Sequence, residues 1–371
     1  MMLTLTSAGP ISNRFGMQKN QAADDLCDQL RQHADQSAFA STLVKVGPFF
    51  IRFRTDSICA QLQLTAAFEQ TNNIDDCHAA DLTVYVMCSP NQSAPAFSSF
   101  LASFINASPV GLPALAHQNQ APFVVIKDLA RKLLKIYDAT NHSALLFIEN
   151  LSLFPSWERF CPIKEFIHLL ALSRSCLLLH AGSVVEQQGN RGILLVGPGG
   201  SGKSSLTAFA VSKGMRTNGD DYVLVDLREP QARCWSVYRT LKLHPTSPST
   251  KLTTHFKPWQ VDSFTQKTIY LGSGDSEQNC FVNRTDIARI YGVRLRAFNL
   301  DLKQGIHASH DKNPYAYTAM STVQQLPYWV SSTLSFAKAL HESVGYRSLT
   351  VDDGVMGMSD ALHTILEDLH K

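Results

Sequence analysis

Short apolar runs alternate with polar breaks through the first 150 residues, and the runs have the length and the β-branched or aromatic content of strands. Residues 43–46, 49–54, 82–87, 123–126, 133–137 and 144–148 are the runs that predict strands. Ahead of them, residues 1–40 read as a polar leader with one short helix over about 21–36. Residues 89–122, rich in Ser, Ala, Pro and Asn, read as a surface loop carrying one short helix around 97–104.

Near residue 150 the pattern changes, which predicts a β-containing domain over 41–150 and a second domain over 151–371. Ser156 is placed to cap a helix running to about Ser173, with Phe160, Ile163, Ile167, Leu170 and Ala171 on one face. Pro162 lies inside that span and marks either a kink or the true start. Buried strands are then expected at 177–179, 183–186 and 192–196, with a tight turn at Gln188, Gly189 and Asn190. Helical spacing resumes at Leu206, Phe209, Ala210 and Val211, and Gly214 is a ready stop. Residues 222–225 form another apolar strand, and 234–245 read as one strand-like run. Arg284, Arg289, Arg294 and Arg296 alternate as a solvated basic strand. The tail from Ser332 is helical apart from a strand at 346–351, with a last helix from about Ser359.

Composition narrows the classes. The 371 residues, 44% apolar and 17% charged, leave room for two cores. Thirty-three basic against 31 acidic residues give a formal net charge of +2, so nucleic acid is not an expected partner. The first residues lack the basic-then-apolar layout of a signal peptide, and no apolar run approaches the ~20 residues of a membrane span. A cytoplasmic protein without membrane contact is the expectation. The eight cysteines include no C-x-x-C pair, which points to reduced thiols and not to a zinc or redox centre.

The candidate chemistry is concentrated in the middle of the chain. Gly197, Pro198, Gly199, Gly200, Ser201, Gly202, Lys203 and Ser204 complete the pattern G-x-x-x-x-G-K-[ST] between a predicted strand and a predicted helix. In that setting, backbone N–H groups wrap a polyphosphate and the helix N-terminus adds a favourable dipole. Lys203 is expected on the terminal phosphates and Ser204 on magnesium, with Ser205 beside them. One helix downstream, Asp220 and Asp221 precede a strand. Such a pair can orient magnesium and take a proton from a hydroxyl, although alone it also reads as an acidic turn. His180, Ala181 and Gly182 end a strand one hairpin upstream, where a lone histidine also serves structure. On residues 239–245 a lysine or arginine either steadies a transferring phosphoryl group or is a solvated strand edge. Neither an ABC-type signature nor a guanine-reading motif accompanies the loop.

In this order, the His180 motif, the glycine-rich loop, Gly214 and the Asp pair resemble the catalytic core of HPr kinase/phosphorylase and its HPr-kinase-like relatives. The likeness is close over 177–226 and loose over the rest of the C-terminal half. It implies an α/β P-loop kinase core of the HPr kinase C-terminal type, preceded by a smaller β-rich α+β domain. It further implies ATP held by the loop residues through Ser205, Mg2+ on Ser204 and Asp221, and one of Asp220 and Asp221, in the first place Asp220, as base toward a serine-like hydroxyl. His180 would tune the pair by titrating near its ordinary value of about 6.5. Ser205 stands where the bifunctional enzymes carry an acidic residue, and no Gly-rich segment follows the core. The resemblance therefore points to the serine-kinase-like relatives, acting on a peptide, protein or small-molecule acceptor, with a homo-oligomer as the implied assembly. Two other readings keep the loop: an NTPase or switch whose Asp pair activates water, and a non-catalytic module whose N-terminal domain captures a peptide.

Overall fold

A computed structural model describes residues 39–68, 79–88, 123–128, 133–149, 151, 154–245, 247, 256–262, 265–272, 279–295, 313–352 and 354–370. The expected helices at 21–36 and 97–104, and Arg296, lie outside these residues. The chain is mixed α/β, with three sheets and seven helices among the described residues.

The apolar runs of the N-terminal half form β1 (Ala40–Val46), β2 (Phe49–Thr55), β3 (Leu82–Cys88), β4 (Phe123–Asp128), β5 (Leu133–Asp138) and β6 (Ser143–Ile148). They make one mixed sheet in the order β1-β2-β3-β6-β5-β4. β2–β3 and β3–β6 are parallel and the remaining pairs antiparallel. The unanticipated helix α1 (Ile58–Thr65) lies between β2 and β3 and buries Ala60 and Leu64. Its N-cap is Ser57, whose Oγ accepts from the Ala60 N–H at 3.4 Å.

The C-terminal half carries a larger sheet built from β7 (Cys176–Leu179), β8 (Gly182–Val185), β9 (Arg191–Val196), β10 (Val223–Asp226), β11 (Arg233–Ser236) and β15 (Arg284–Leu295). Its order is β7-β10-β11-β15-β9-β8, with β16 (Tyr346–Val351) added in parallel to the C-terminal part of β15. A separate antiparallel sheet contains β12 (Thr240–Leu243), β13 (Phe256–Val261) and β14 (Thr268–Gly272) in the order β12-β14-β13. The run at 234–245 is therefore two strands in two sheets, a division that strand pairing decides and composition does not.

The helix expected from Ser156 to Ser173 is broken. α2 (Ser156–Phe160) ends at Cys161, and α3 (Lys164–Ser173) starts after Ile163, which has a left-handed backbone with φ 51°. Pro162 lacks an N–H and disfavours helical geometry in the residue before it, so the chain cannot run through. Pro155, not Ser156, is the N-cap of α2, because the Ser156 hydroxyl donates to Asp262 Oδ1 at 3.0 Å instead. The remaining helices are α4 (Lys203–Ser212), α5 (Pro314–Gln325), α6 (Val330–Val344) and α7 (Gly354–Leu369), the last beginning well before Ser359. α4 stops in a Schellman motif, with Gly214 N–H on Val211 O and Met215 N–H on Ala210 O.

The apolar core does not divide at residue 150. One cluster joins Val44, Phe53, Val84 and Leu146 of the first sheet to Phe160, Phe166, Leu178, Tyr222 and Tyr238. Buried inside this junction, Lys135 Nζ donates to Glu158 Oε2 and Glu165 Oε2, both at 2.7 Å. Of the β15 arginines, Arg284 is exposed as expected, while Arg289 and Arg294 are half-buried. Arg289 pairs with the buried Asp368 of α7 at 3.2 Å, and Arg284 lies over the Trp235 ring. No helix among the described residues is long and apolar enough to cross a membrane.

Candidate active site

Three elements converge on the ends of β7, β9 and β10. The glycine-rich loop joins β9 to α4, so Lys203 to Ser205 occupy the first helical turn, where backbone N–H groups have no intrahelical acceptor. Gly202 is the N-cap with φ 100°, and a Cβ there would also meet Leu295 at 3.1 Å. Lys203 folds back on the loop, donating to Gly197 O at 2.7 Å and Pro198 O at 3.2 Å. Burial brings its ammonium down to about 8, against the upward pull of Asp221 and Asp220. Ser201 Oγ is buried and has no hydrogen-bond partner. Ser205 Oγ meets Ser247 Oγ at 3.1 Å.

The hairpin before the loop brings His180 to the Asp pair. Gly182 is required for the close approach, since a Cβ at that position would stand 2.7 Å from Thr207 Oγ1 of α4. His180 Nε2 donates to Asp221 Oδ1 at 3.0 Å. Its tautomer follows from α5: Gln325 Oε1 accepts from the Tyr222 hydroxyl at 2.6 Å, leaving Gln325 Nε2 to donate to His180 Nδ1 at 2.9 Å. The Ser321 hydroxyl also bonds Nδ1, and Thr322 Oγ1 accepts from His180 N–H at 2.8 Å. Burial and the Lys203 charge hold the imidazole down at about 4. The expected titration near 6.5 is thus corrected, because a neutral ring with both nitrogens bonded fits this interior better than an imidazolium.

The two aspartates are not equivalent. Asp221 is bonded on both oxygens: Oδ1 to His180, and Oδ2 to Lys242 Nζ at 2.8 Å and Cys161 Sγ at 3.4 Å. Burial alone would raise it, but Lys242 overrides burial and holds it well below the usual carboxylate range. Asp220 is more deeply buried, at 2% exposure. Its Oδ2 accepts from the Lys242 N–H at 3.1 Å, and Ser204 lies near enough to lower its proton affinity. Its Oδ1 has no partner. Burial, reinforced by the Asp221 charge, pushes Asp220 up to about 6. Sequence reasoning assigned magnesium to Ser204 and Asp221, whereas the carboxylate beside Ser204 is Asp220.

Lys242, named only within the 239–245 run, is the residue whose place the tertiary structure reveals. Strand β12 carries it over the Phe160 ring, 5.4 Å from the centroid, and onto Asp221. Cys161 had no signal at all in the sequence. It reaches the site because the Pro162 break turns the chain there, with the Tyr238 hydroxyl donating to Pro162 O at 2.9 Å.

The residues present fit a magnesium nucleotide. A buried carboxylate oxygen without a partner sits on the aspartate beside Ser204, and a cationic lysine waits on loop carbonyls. Among the described residues no three His, Cys, Asp or Glu side chains are grouped to hold a metal unaided. Magnesium bound through one or two carboxylates and ligand phosphates needs no such group. No family model matches the chain, and a search of curated proteins finds no similar protein.

Proposed function

We propose that this chain is an ATP- and magnesium-dependent kinase that phosphorylates a serine-like hydroxyl, built on a P-loop kinase core of the HPr-kinase-like type. The observation that carries the reading is the division of labour between two adjacent aspartates at the mouth of one glycine-rich loop. Asp220 lies beside Ser204, takes one backbone N–H from Lys242 and keeps an unbonded oxygen, the arrangement of a group that could hold magnesium. Asp221 is ionised and held on His180 and Lys242, the arrangement of a base. The roles run opposite to those the resemblance alone implied.

Loop N–H groups and Lys203 would hold the triphosphate, and Ser204 with Asp220 the magnesium ion, which supplies charge neutralisation of the phosphates. A magnesium ion held there would offset the burial that raises Asp220. The acceptor hydroxyl oxygen forms its new bond to the γ-phosphorus as its proton passes to the Asp221 carboxylate. The bond from the γ-phosphorus to the β,γ-bridging oxygen breaks, and its electron pair leaves on ADP. His180 donates through Nε2 and fixes the carboxylate's orientation, which matters because positioning supplies much of the barrier reduction in such transfers.

Transfer from γ-labelled ATP to a panel of serine peptides and small alcohols tests the reading. Asp221→Asn is expected to bind Mg·ATP normally and transfer poorly, while Asp220→Asn loses the magnesium dependence of binding. The reverse pattern would return the base to Asp220. Consumption of ATP at the same rate with and without every acceptor would favour the NTPase reading.

A further inference from the structure

The three-stranded sheet presents two lysines to the site. Pairing of β12 with β14 sets Lys242 opposite Ile269, and pairing of β13 with β14 sets Gln260 opposite Ile269 and Val261 opposite Thr268. The ladder continues one step further, since the Asp262 N–H donates to Lys267 O at 2.8 Å. Side chains alternate along a strand, so Lys267 falls on the same face as Ile269 and Lys242. The opposite face, with Leu241, Leu243 and Tyr270, packs on Ala208 and Val211 of α4. The lysine-bearing face is therefore turned toward the Asp pair.

The turn that carries Lys267 is held in place. Asp262, 2% exposed, accepts from Ser156 through Oδ1 and from the Thr265 hydroxyl through Oδ2 at 2.6 Å. Its carbonyl accepts from the Gln266 N–H at 2.7 Å. The hairpin is thus fastened to the start of α2, the helix whose far end brings Phe160 and Cys161 to Asp221. Lys267 lies near enough to Lys203 and Asp220 for its charge to lower the proton affinity of both. Among the described residues Lys242 is tied to Asp221, while the Lys267 ammonium has no ion-pair partner. With His180 neutral, three lysines face two aspartates, an excess of positive charge directed at the space above the loop.

We infer that Lys267 is a phosphate-contact residue, holding a phosphate dianion from the side opposite Lys203. This rests on the phosphoryl-transfer reading of the site. A half-buried ammonium with no ion-pair partner among the described residues, on the face turned toward the Asp pair, is placed to meet the phosphate that Lys203 would grip. The phosphate has two possible sources, the γ-phosphate of the nucleotide or a phosphate carried by the acceptor.

Binding by the full chain distinguishes them. Dissociation constants are measured for Mg·ATP, for Mg·ADP, and for inorganic phosphate added to the ADP-loaded protein. If the source is the γ-phosphate, Lys267→Gln weakens Mg·ATP by about tenfold or more, the value of one charge-assisted hydrogen bond, and leaves Mg·ADP unchanged. If the source is the acceptor, Mg·ATP is unchanged and inorganic phosphate binding is weakened instead. Lys267→Arg should recover most of either loss. Lys267→Met, which keeps the aliphatic stem, replaces Lys267→Gln should the latter fail to fold. Unchanged constants for all three ligands in a folded Lys267→Gln or Lys267→Met would overturn the inference. Failure of the wild-type protein to bind either nucleotide would overturn the kinase reading itself.

Discussion

Two buried charge clusters among the described residues differ in what they leave unfinished. At the junction of the first sheet with α2 and α3, Lys135 bonds both Glu158 and Glu165, and each glutamate receives the same ammonium. Burial raises Glu158 and favours its protonated form, while Lys135 keeps Glu165 ionised, so the cluster approaches neutrality by itself. At the loop, Lys203, Lys242, Asp220, Asp221 and His180 are also buried or nearly so, yet Asp220 Oδ1 and Ser201 Oγ have no partners. An unsatisfied buried polar atom costs roughly 1–3 kcal/mol, so a folded protein keeps several together only where something else completes them. The first cluster is closed to ligands. The second leaves polar atoms open, which the proposed nucleotide and magnesium ion would complete.

The sharpest way to break this comparison is Lys203→Ala. Transfer should fall below detection, because the ammonium that neutralises the phosphates is gone. Thermal melting should stay level or rise, because the variant no longer buries a lysine held down at about 8. Near-wild-type ATP turnover would remove the loop from the chemistry. Next in size, Asp221→Asn should lower the chemical step by roughly 10²–10⁴-fold, the range of a positioned base, with Mg·ATP affinity retained. Single-turnover transfer compared with nucleotide binding gives the answer.

Lys135→Met should do the opposite. It strands two glutamates and should cost about 3–5 kcal/mol in denaturant unfolding, while nucleotide affinity well below the melting point stays the same. Replacing all three by apolar residues, Lys135→Met with Glu158→Leu and Glu165→Leu, should recover most of that loss, as a purely structural ion cluster allows. A fall in nucleotide affinity parallel to stability would mean that the two clusters are not independent.

The smallest effect is read from pH. His168, beside the closed cluster, is fully buried, bonds Tyr328 O at 3.2 Å and is held at about 4 by burial. In the unfolded chain it titrates near 6.5, so below that value the unfolded state binds more protons and stability falls. Its contribution is complete above about 6.5 and is lost progressively toward 4. His168→Gln should give an unfolding free energy that declines less steeply between those values, by up to one proton. An unchanged slope would show that His168 is not buried in the neutral form.

Much of this architecture could be read before any coordinates. The apolar runs of the N-terminal half appear as β1 to β6 within three residues of their expected ends, because each run is short, apolar and bounded by polar or turn residues. The strand at 346–351 and the Gly214 helix stop were equally legible, since pattern and turn chemistry agree there. α1 was missed because only Ala60, Leu64 and Thr65 of its residues are buried, while Ile58 and Leu62 are exposed and blur the period. The break at Pro162 was visible as an ambiguity but not as a consequence. Nothing local says that the kink delivers Cys161 to Asp221.

The sequence by itself determined the glycine-rich loop between strand and helix, the histidine one hairpin before it and the Asp pair one helix after. These are local relations, spaced by elements whose lengths the hydrophobic pattern reveals. Tertiary structure alone decided that Asp221, not Asp220, meets His180 and Lys242, that burial pulls His180 down, and that Lys242 and Lys267 share a face turned toward the site. Adjacent residues such as Asp220 and Asp221 point in different directions, and their protonation depends on burial and on charges far away in the chain. Strand register and desolvation are non-local quantities, and no reading of neighbours in sequence contains them.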